Sequence, residues 1–280
     1  MKKLLYLIIC LVLFNNQMFS QEEEKPTAEG ARHPILEDKF YIEAGAFIPQ
    51  KDIKFGASGD IDNEDIDFGQ TFNFNDNEAT FFFNGEWRWN KKWRLTGEYF
   101  AVNNAARATL ERDIVLDSLT FEKGTFARGG IEFALFRVFV GRTISSGPKH
   151  SLGAGLGVHM INIGAFIEGE IRTDQGDTEF RAPRASFLIP LPNIGAWYHW
   201  APNEKWAFMA RVDYFGITID KYSGGLWNLA PGIKYQIIKN LGIGLDYRVF
   251  FLNARVDDEI WEGEFDMNFA GPLITLHGNF

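Results

Sequence analysis

Between Phe40 and Phe280 apolar and polar residues alternate one by one, run after run, and no apolar stretch of about 18 residues follows the first twenty positions. Phe81, Phe83, Trp87 and Trp89 share one parity, and Thr80, Asn84, Glu86 and Arg88 take the other. The next run sets Trp93, Leu95, Tyr99 and Ala101 against Arg94, Thr96 and Glu98. Trp206, Phe208, Val212 and Tyr214 likewise oppose Arg211 and Asp213, and Ile243, Leu245, Tyr247 and Phe251 oppose Gly244, Asp246 and Arg248. A period of two is the signature of strands with one oily and one polar face. Without a candidate transmembrane helix, such a chain can cross a membrane only as a closed β-barrel, because hydrocarbon leaves no other way to satisfy the backbone.

The connections reinforce this pattern. Short turns are predicted at Asn90–Lys92, Gly147–His150, Pro202–Lys205 and Lys239–Asn240. Between them fall longer polar stretches, at 58–78, 114–124, 169–181, 220–225 and 255–264. Counting runs between connections gives a single all-β, antiparallel, up-and-down barrel of about ten strands, with eight or twelve as alternatives. Two stretches fit less well. Phe265, Met267 and Phe269 have the opposite parity to Ile274 and Leu276, which predicts a bulge and a change of face near Gly271–Pro272. Pro190 and Pro192 predict a loop or bent strand in the first half of 185–200.

Lys2 and Lys3 followed by apolar Leu4 to Phe14 read as a signal peptide over 1–20, cleaved near Ser20. Removing it removes Cys10, the only cysteine, and with it any disulfide, thiolate metal site or cysteine nucleophile. Residues 21–39, rich in Glu and Pro, read as a flexible periplasmic lead-in, and 40–280 as the barrel domain. The formal charge of -9 argues against a nucleic-acid partner, which needs a basic surface.

The final nine residues alternate and stop on an aromatic, placing Ile274, Leu276 and Phe280 on one face and Thr275, His277 and Asn279 on the other. This tail resembles the closing strand and assembly signal of outer-membrane β-barrels, and the whole of 40–280 resembles that broad, porin-like class. The resemblance implies the outer membrane of a diderm bacterium, both termini in the periplasm, short periplasmic turns and longer external loops. Its implied partners are outer-membrane lipids, the barrel-assembly machinery during insertion and a small-molecule ligand at the external loops. Trp87, Trp89, Trp93, Trp200 and Trp206 lie beside the short turns, as an interfacial aromatic girdle requires.

Candidate lumen charges are Glu86, Arg88, Arg94, Glu98, Arg128, Glu132, Arg211, Asp213, Lys234, Asp246 and Arg248. Mixed signs on neighbouring strands predict pairing into a plug, since an unpaired buried charge is costly. Gly153, Gly155 and Gly157 lack the helix context of a phosphate loop and read as a thin lumen wall with room for a bulky partner. The acidic runs 60–65 and 257–264 read as solvated surface, not as calcium loops. Ser186 and His199 would be roughly 40 Å apart along a strand, too far for a nucleophile and its base. The expectation is a non-enzymatic barrel with no cofactor or metal and a structural, ligand-binding or minor solute-passage role. The alternatives are an outer-leaflet hydrolase and a soluble exported barrel carrying an apolar ligand.

Overall fold

The computed structural model describes residues 32–59, 78–110, 113–116, 119–172, 178–181, 184–257 and 261–280. The leader, the predicted cleavage point and the acidic run 60–65 lie outside them. The elements are a short helix α1 (Pro34–Glu37) and strands β1 (Phe40–Phe47), β2 (Gln50–Gly59), β3 (Thr80–Trp87), β4 (Trp93–Thr109), β5 (Ile114–Leu116), β6 (Leu119–Phe121), β7 (Phe126–Ser146) and β8 (His150–Arg172). They continue with β9 (Thr178–Arg181), β10 (Arg184–Trp200), β11 (Trp206–Ile219), β12 (Tyr222–Leu229), β13 (Gly232–Ile238), β14 (Leu241–Asp257) and β15 (Trp261–Asn279).

Each stave of the barrel pairs antiparallel with its sequence neighbour, and β1 pairs with β15 from Tyr41↔Asn279 to Phe47↔Leu273, which closes the ring. Phe40 and Phe280 lock the seam by exchanging backbone hydrogen bonds of 2.8 and 2.9 Å. β1 and β2 hold one register on β15, so they form a single stave interrupted at Ile48–Pro49. β12 and β13 form another, both lying between β11 and β14. β9 holds the register of β10 on β8 and extends that stave, so with β5 and β6 outside the wall the staves number ten, as the alternation predicts. Two of the short turns use one device: Asn90 Oδ1 accepts from the backbone of Lys92 and Trp93, and Asn203 Oδ1 from that of Lys205 and Trp206, at 2.8–2.9 Å. These are Asx turns, which an asparagine two residues before the bend stabilises locally.

Several expectations are corrected. β15 keeps an unbroken register with β14 from Asp257↔Glu262 to Leu241↔Gly278, so neither bulge nor change of face occurs near Pro272. Met267, Phe269 and Leu273 point inward with Thr275 and His277; the interior itself turns apolar. The first half of 185–200 is strand, paired with β8 from Arg184↔Phe166 onward. Residues 220–225 are not a loop: Ile219 faces Tyr222 across a two-residue turn, with Asp220 at φ 53, a conformation aspartate tolerates better than most residues. The strands around 258–260 likewise pair out to Asp257↔Glu262. Both errors have one cause: strands that rise beyond an apolar belt meet water on their outer face, so their composition resembles that of a loop. Residues 32–39 also make contacts that a free lead-in does not predict.

Candidate functional site

The lumen is the site, and its residues fall into two layers. On eight of the ten staves an inward-facing polar position, with a few rings such as Phe139 and Trp197 among its neighbours toward the short turns, gives way to an apolar one. The change falls between Glu98 and Phe100 on β4, Arg137 and Leu135 on β7, His159 and Ile161 on β8, and Asn193 and Leu191 on β10. It recurs between Asp213 and Phe215, Asn228 and Leu226, Arg248 and Phe250, and Thr275 and Leu273.

In the polar layer the charges meet in interlocking groups. Glu98, wholly buried, accepts from Arg211 at 2.5 and 3.2 Å and from Arg248 at 2.6 and 2.8 Å, two forked guanidinium contacts on one carboxylate. Arg137 donates to Asp213 at 2.6 Å, and Asn193 to the same oxygen at 3.2 Å. Lys234 bridges Glu43 and Asp246, its bond to Asp246 being 2.6 Å. Glu86 takes Arg88 at 2.6 Å and Arg94 at 3.0 Å. Three arginines also stack on rings: Arg94 lies 4.0 Å from the centroid of Trp197, Arg137 4.3 Å from Phe139, and Arg248 4.2 Å from Phe82. The Nε of each has no hydrogen-bond acceptor and faces π density instead. Gly153 faces Trp197 in the β8–β10 register, and any side chain there would collide with the indole and with the Arg142 carbonyl. The predicted thin wall is therefore real, with its bulky partner on the adjacent strand and not across the barrel.

The apolar layer is a ring cluster. Phe47, Phe82, Phe100, Phe133, Phe250 and Phe269 are at most 2% exposed, and Phe133 lies 4.9 Å from Phe269 and 5.5 Å from Phe250 by centroid. Leu110 and Phe121, from the connection between β4 and β7, complete the cluster. At the opposite end α1 seats Ile35, 1% exposed, against Tyr41, Ala201 and Ala207. Arg88 donates to the Ile35 carbonyl and so ties this segment to Glu86. His33 Nδ1 accepts from Ile35 N at 3.2 Å, and burial lowers the pKa of that imidazole, which suits a neutral acceptor. Ile35→Asp is expected to release the segment, read as new protease cleavage at 32–39 with the barrel intact; unchanged protection would refute the seat.

Among the predicted lumen charges, Glu86, Arg88, Arg94, Glu98, Arg211, Asp213, Lys234 and Asp246 join the polar layer, together with Arg248. Arg128 and Glu132 do not. On β7 the inward parity belongs to Arg137, Leu135 and Phe133, which turns both outward, where Arg128 pairs with Glu168 at 2.9 Å. They lie above the apolar belt, where charge on the outer face costs nothing. Glu43 and Arg137 join the layer as well, without standing among the charges that alternation points inward. Arg137 sits in Phe133–Val140, apolar on both faces, so parity there is unreadable. Trp87, Trp89, Trp200 and Trp206 are 41–45% exposed on the outer surface at the short-turn end. Trp89 stacks on Trp93 at 6.2 Å, Phe40 on Trp87 at 6.4 Å. Ile274, Leu276 and Phe280 face outward at 57–62% exposure, and Thr275, His277 and Asn279 inward at no more than 2%.

His159 sits 3.9 Å from Asp213 and 3.3 Å from Asn228, so an acid does stand beside it. Both side chains are wholly buried, and Asp213 is held by Arg137. The polar layer encloses a cavity of about 70 Å³ bordered by Glu86, Arg94, Arg137, Trp197 and Lys234. Ligand pockets begin at about 300 Å³, so this space suits a few waters.

A closed, antiparallel ten-strand ring with an oily outer belt and a filled lumen is the fold of an outer-membrane β-barrel. The outer membrane protease OmpT from Escherichia coli shares it, with a TM-score of 0.56 over 90% of this chain and 99% of that one, at 14% identity. OprG from Pseudomonas aeruginosa (TM-score 0.37, 11% identity, 90% of this chain and 98% of that one) and Ail of Yersinia pestis (0.29, 11%, 85% and 99%) match at scores that do not define a common fold. Neither a family model nor a curated protein matches the sequence.

Proposed function

We propose that this protein is a non-enzymatic, non-conducting barrel of the outer membrane of a diderm bacterium, structural in its body and ligand-binding at its external end. Location rests on the outer surface. Phe81, Phe136, Val140, Leu156, Ile194, Leu245, Ile274 and Leu276 are 40–62% exposed, and they are spread over six strands of the wall. A soluble monomer rarely leaves more than a few hundred Å² of contiguous apolar surface open, whereas lipid requires such a belt. In that setting the tryptophans at the short-turn end form the headgroup girdle, the C-terminal strand is what the assembly machinery reads, and membrane lipids are the constant partner.

The observation that carries the closed state is the doubly filled lumen, charge pairs below and phenylalanines above. Passage would require breaking both layers at once. Weighing against catalysis is burial: His159, His199 and His277 are at most 5% exposed, and the cavity of about 70 Å³ that His199 borders is too small for a substrate. Folded protein in a planar bilayer is expected to give no steady current at moderate voltage; a stable ohmic step would refute the sealed lumen. Heat-dependent gel migration of detergent-extracted protein tests the membrane barrel separately, and full extraction by buffer alone would refute it.

A further inference from the structure

The wall parts between β10 and β11. Their ladder runs from Trp200↔Phe208 to Ile194↔Tyr214 and stops. β10 nevertheless continues to Arg184 against β8, and β11 to Ile219 against β12. The cause is in the sequence. Ala201 donates its N–H to Lys149 on the β8 side. In an antiparallel strand the N–H groups alternate between the two neighbours, so even-numbered residues of β10 turn theirs toward β11. Continued in register, Pro192 would meet Gly216, and Pro190 would meet Thr218. Proline has no N–H, so two successive donors are missing from the edge that would have closed the wall.

Exposure changes at the same place. One rung crosses Ile189, Ile161, Leu135 and Phe100 on β10, β8, β7 and β4. All four point inward; the last three are at most 1% exposed and Ile189 is 37% exposed. Ile217, the inward residue across the parting on β11, is 43% exposed. Leu191 and Phe215, one on each lip, pack against the phenylalanine cluster. The parting is also at membrane depth, because Pro190 and Pro192 lie beside Met160 and Val158, whose side chains belong to the outward apolar belt.

We infer that this parting is a side entrance through which an acyl chain of a surrounding membrane lipid packs between Ile189, Leu191, Phe215 and Ile217, against the apolar half of the lumen. The inference rests on the membrane location proposed above. Depth and lining select a hydrocarbon chain. The β11 edge selects a lipid over a bare hydrocarbon: the N–H groups of Gly216 and Thr218 face the parting and suit the oxygens of an ester linkage. The missing proline donors leave fewer polar groups stranded in hydrocarbon, a cost that otherwise forbids an open edge there.

The test uses the full protein reconstituted in phosphatidylcholine vesicles containing a trace of lipid with a diazirine in its acyl chain, with labelled residues read by mass spectrometry after illumination. Ile189 and Ile217 are expected to label to the same order as the outward Ile243 and Leu245, while Leu135 and Ile161 stay unlabelled. Restoring both donors with Pro190→Thr and Pro192→Thr should cut labelling at Ile217 severalfold and leave Ile243 unchanged. Labelling at Ile243 without Ile189 or Ile217 refutes the side entrance. Equal labelling of Ile217 in the proline variant refutes the proposed cause. Absence of label from Ile243 itself refutes the membrane location instead. If the variant does not fold, the unaltered protein still decides whether the entrance exists.

Discussion

Glu98→Gln is expected to lower barrel stability by about 3–5 kcal/mol, the cost of breaking a buried ion pair from one side. The amide keeps the volume of the carboxylate, so no cavity forms and the loss is electrostatic. What remains is Arg211 and Arg248 facing a neutral amide, with Arg248 losing its carboxylate and Arg211 left only with Asp213, 3.3 Å away and shared with Arg137. The measurement is a urea titration in lipid followed by heat-dependent gel migration. Arg128→Gln supplies the contrast, since its partner Glu168 sits at the outer surface and the two side chains are 41% and 28% exposed. An exposed pair of that kind is worth at most about 1 kcal/mol. If Glu98→Gln unfolds at the same urea concentration as the unaltered protein, the polar layer is not a structural plug.

How far the sequence discloses this arrangement depends on what each residue borders. Where lipid lies on one side and charge on the other, as at Glu86–Trp89 or Leu241–Phe251, alternation reads the strand and its orientation directly. The turns, the seam strand and the number of staves follow from it. Where both neighbours are apolar the signal vanishes: Phe133, Leu135 and Arg137 point inward within a run whose outward residues are Phe136 and Val138, and only the folded wall separates them. The same blindness made Phe265, Met267 and Phe269 look like a change of face. Above the belt the opposite holds: Arg128 and Glu132 read as lumen residues because charge there sits on the outer face, while the inward Ala127 and Ile131 are buried and apolar. Pairing is a further level out of reach, since Arg248 finds Glu98 across 150 residues and Lys234 finds Glu43 across 191. Local parity says which face a charge takes, but strand order and stagger decide whom it meets.

Phe133→Ala should cost about 3–5 kcal/mol, as truncation of a wholly buried aromatic does. The ring contacts Phe100, Phe250 and Phe269, with centroids 4.9–5.8 Å away, and these belong to three different strands, so the surroundings cannot collapse without bending the wall. Phe136→Ala, three residues on but facing outward, loses only its transfer from water to lipid, because acyl chains close over the shortened side chain and leave no cavity. The unfolding midpoint should therefore separate the two variants clearly, although composition changes identically in both. Conductance adds an independent reading. Removing Phe133 opens space only in the apolar layer, and the ion pairs below still bar the lumen, so Phe133→Ala should remain silent in a planar bilayer. A steady current in that variant would assign the seal to the phenylalanines alone and leave the charge network a purely architectural role; equal loss of stability in the two variants would remove the argument for a packed upper core.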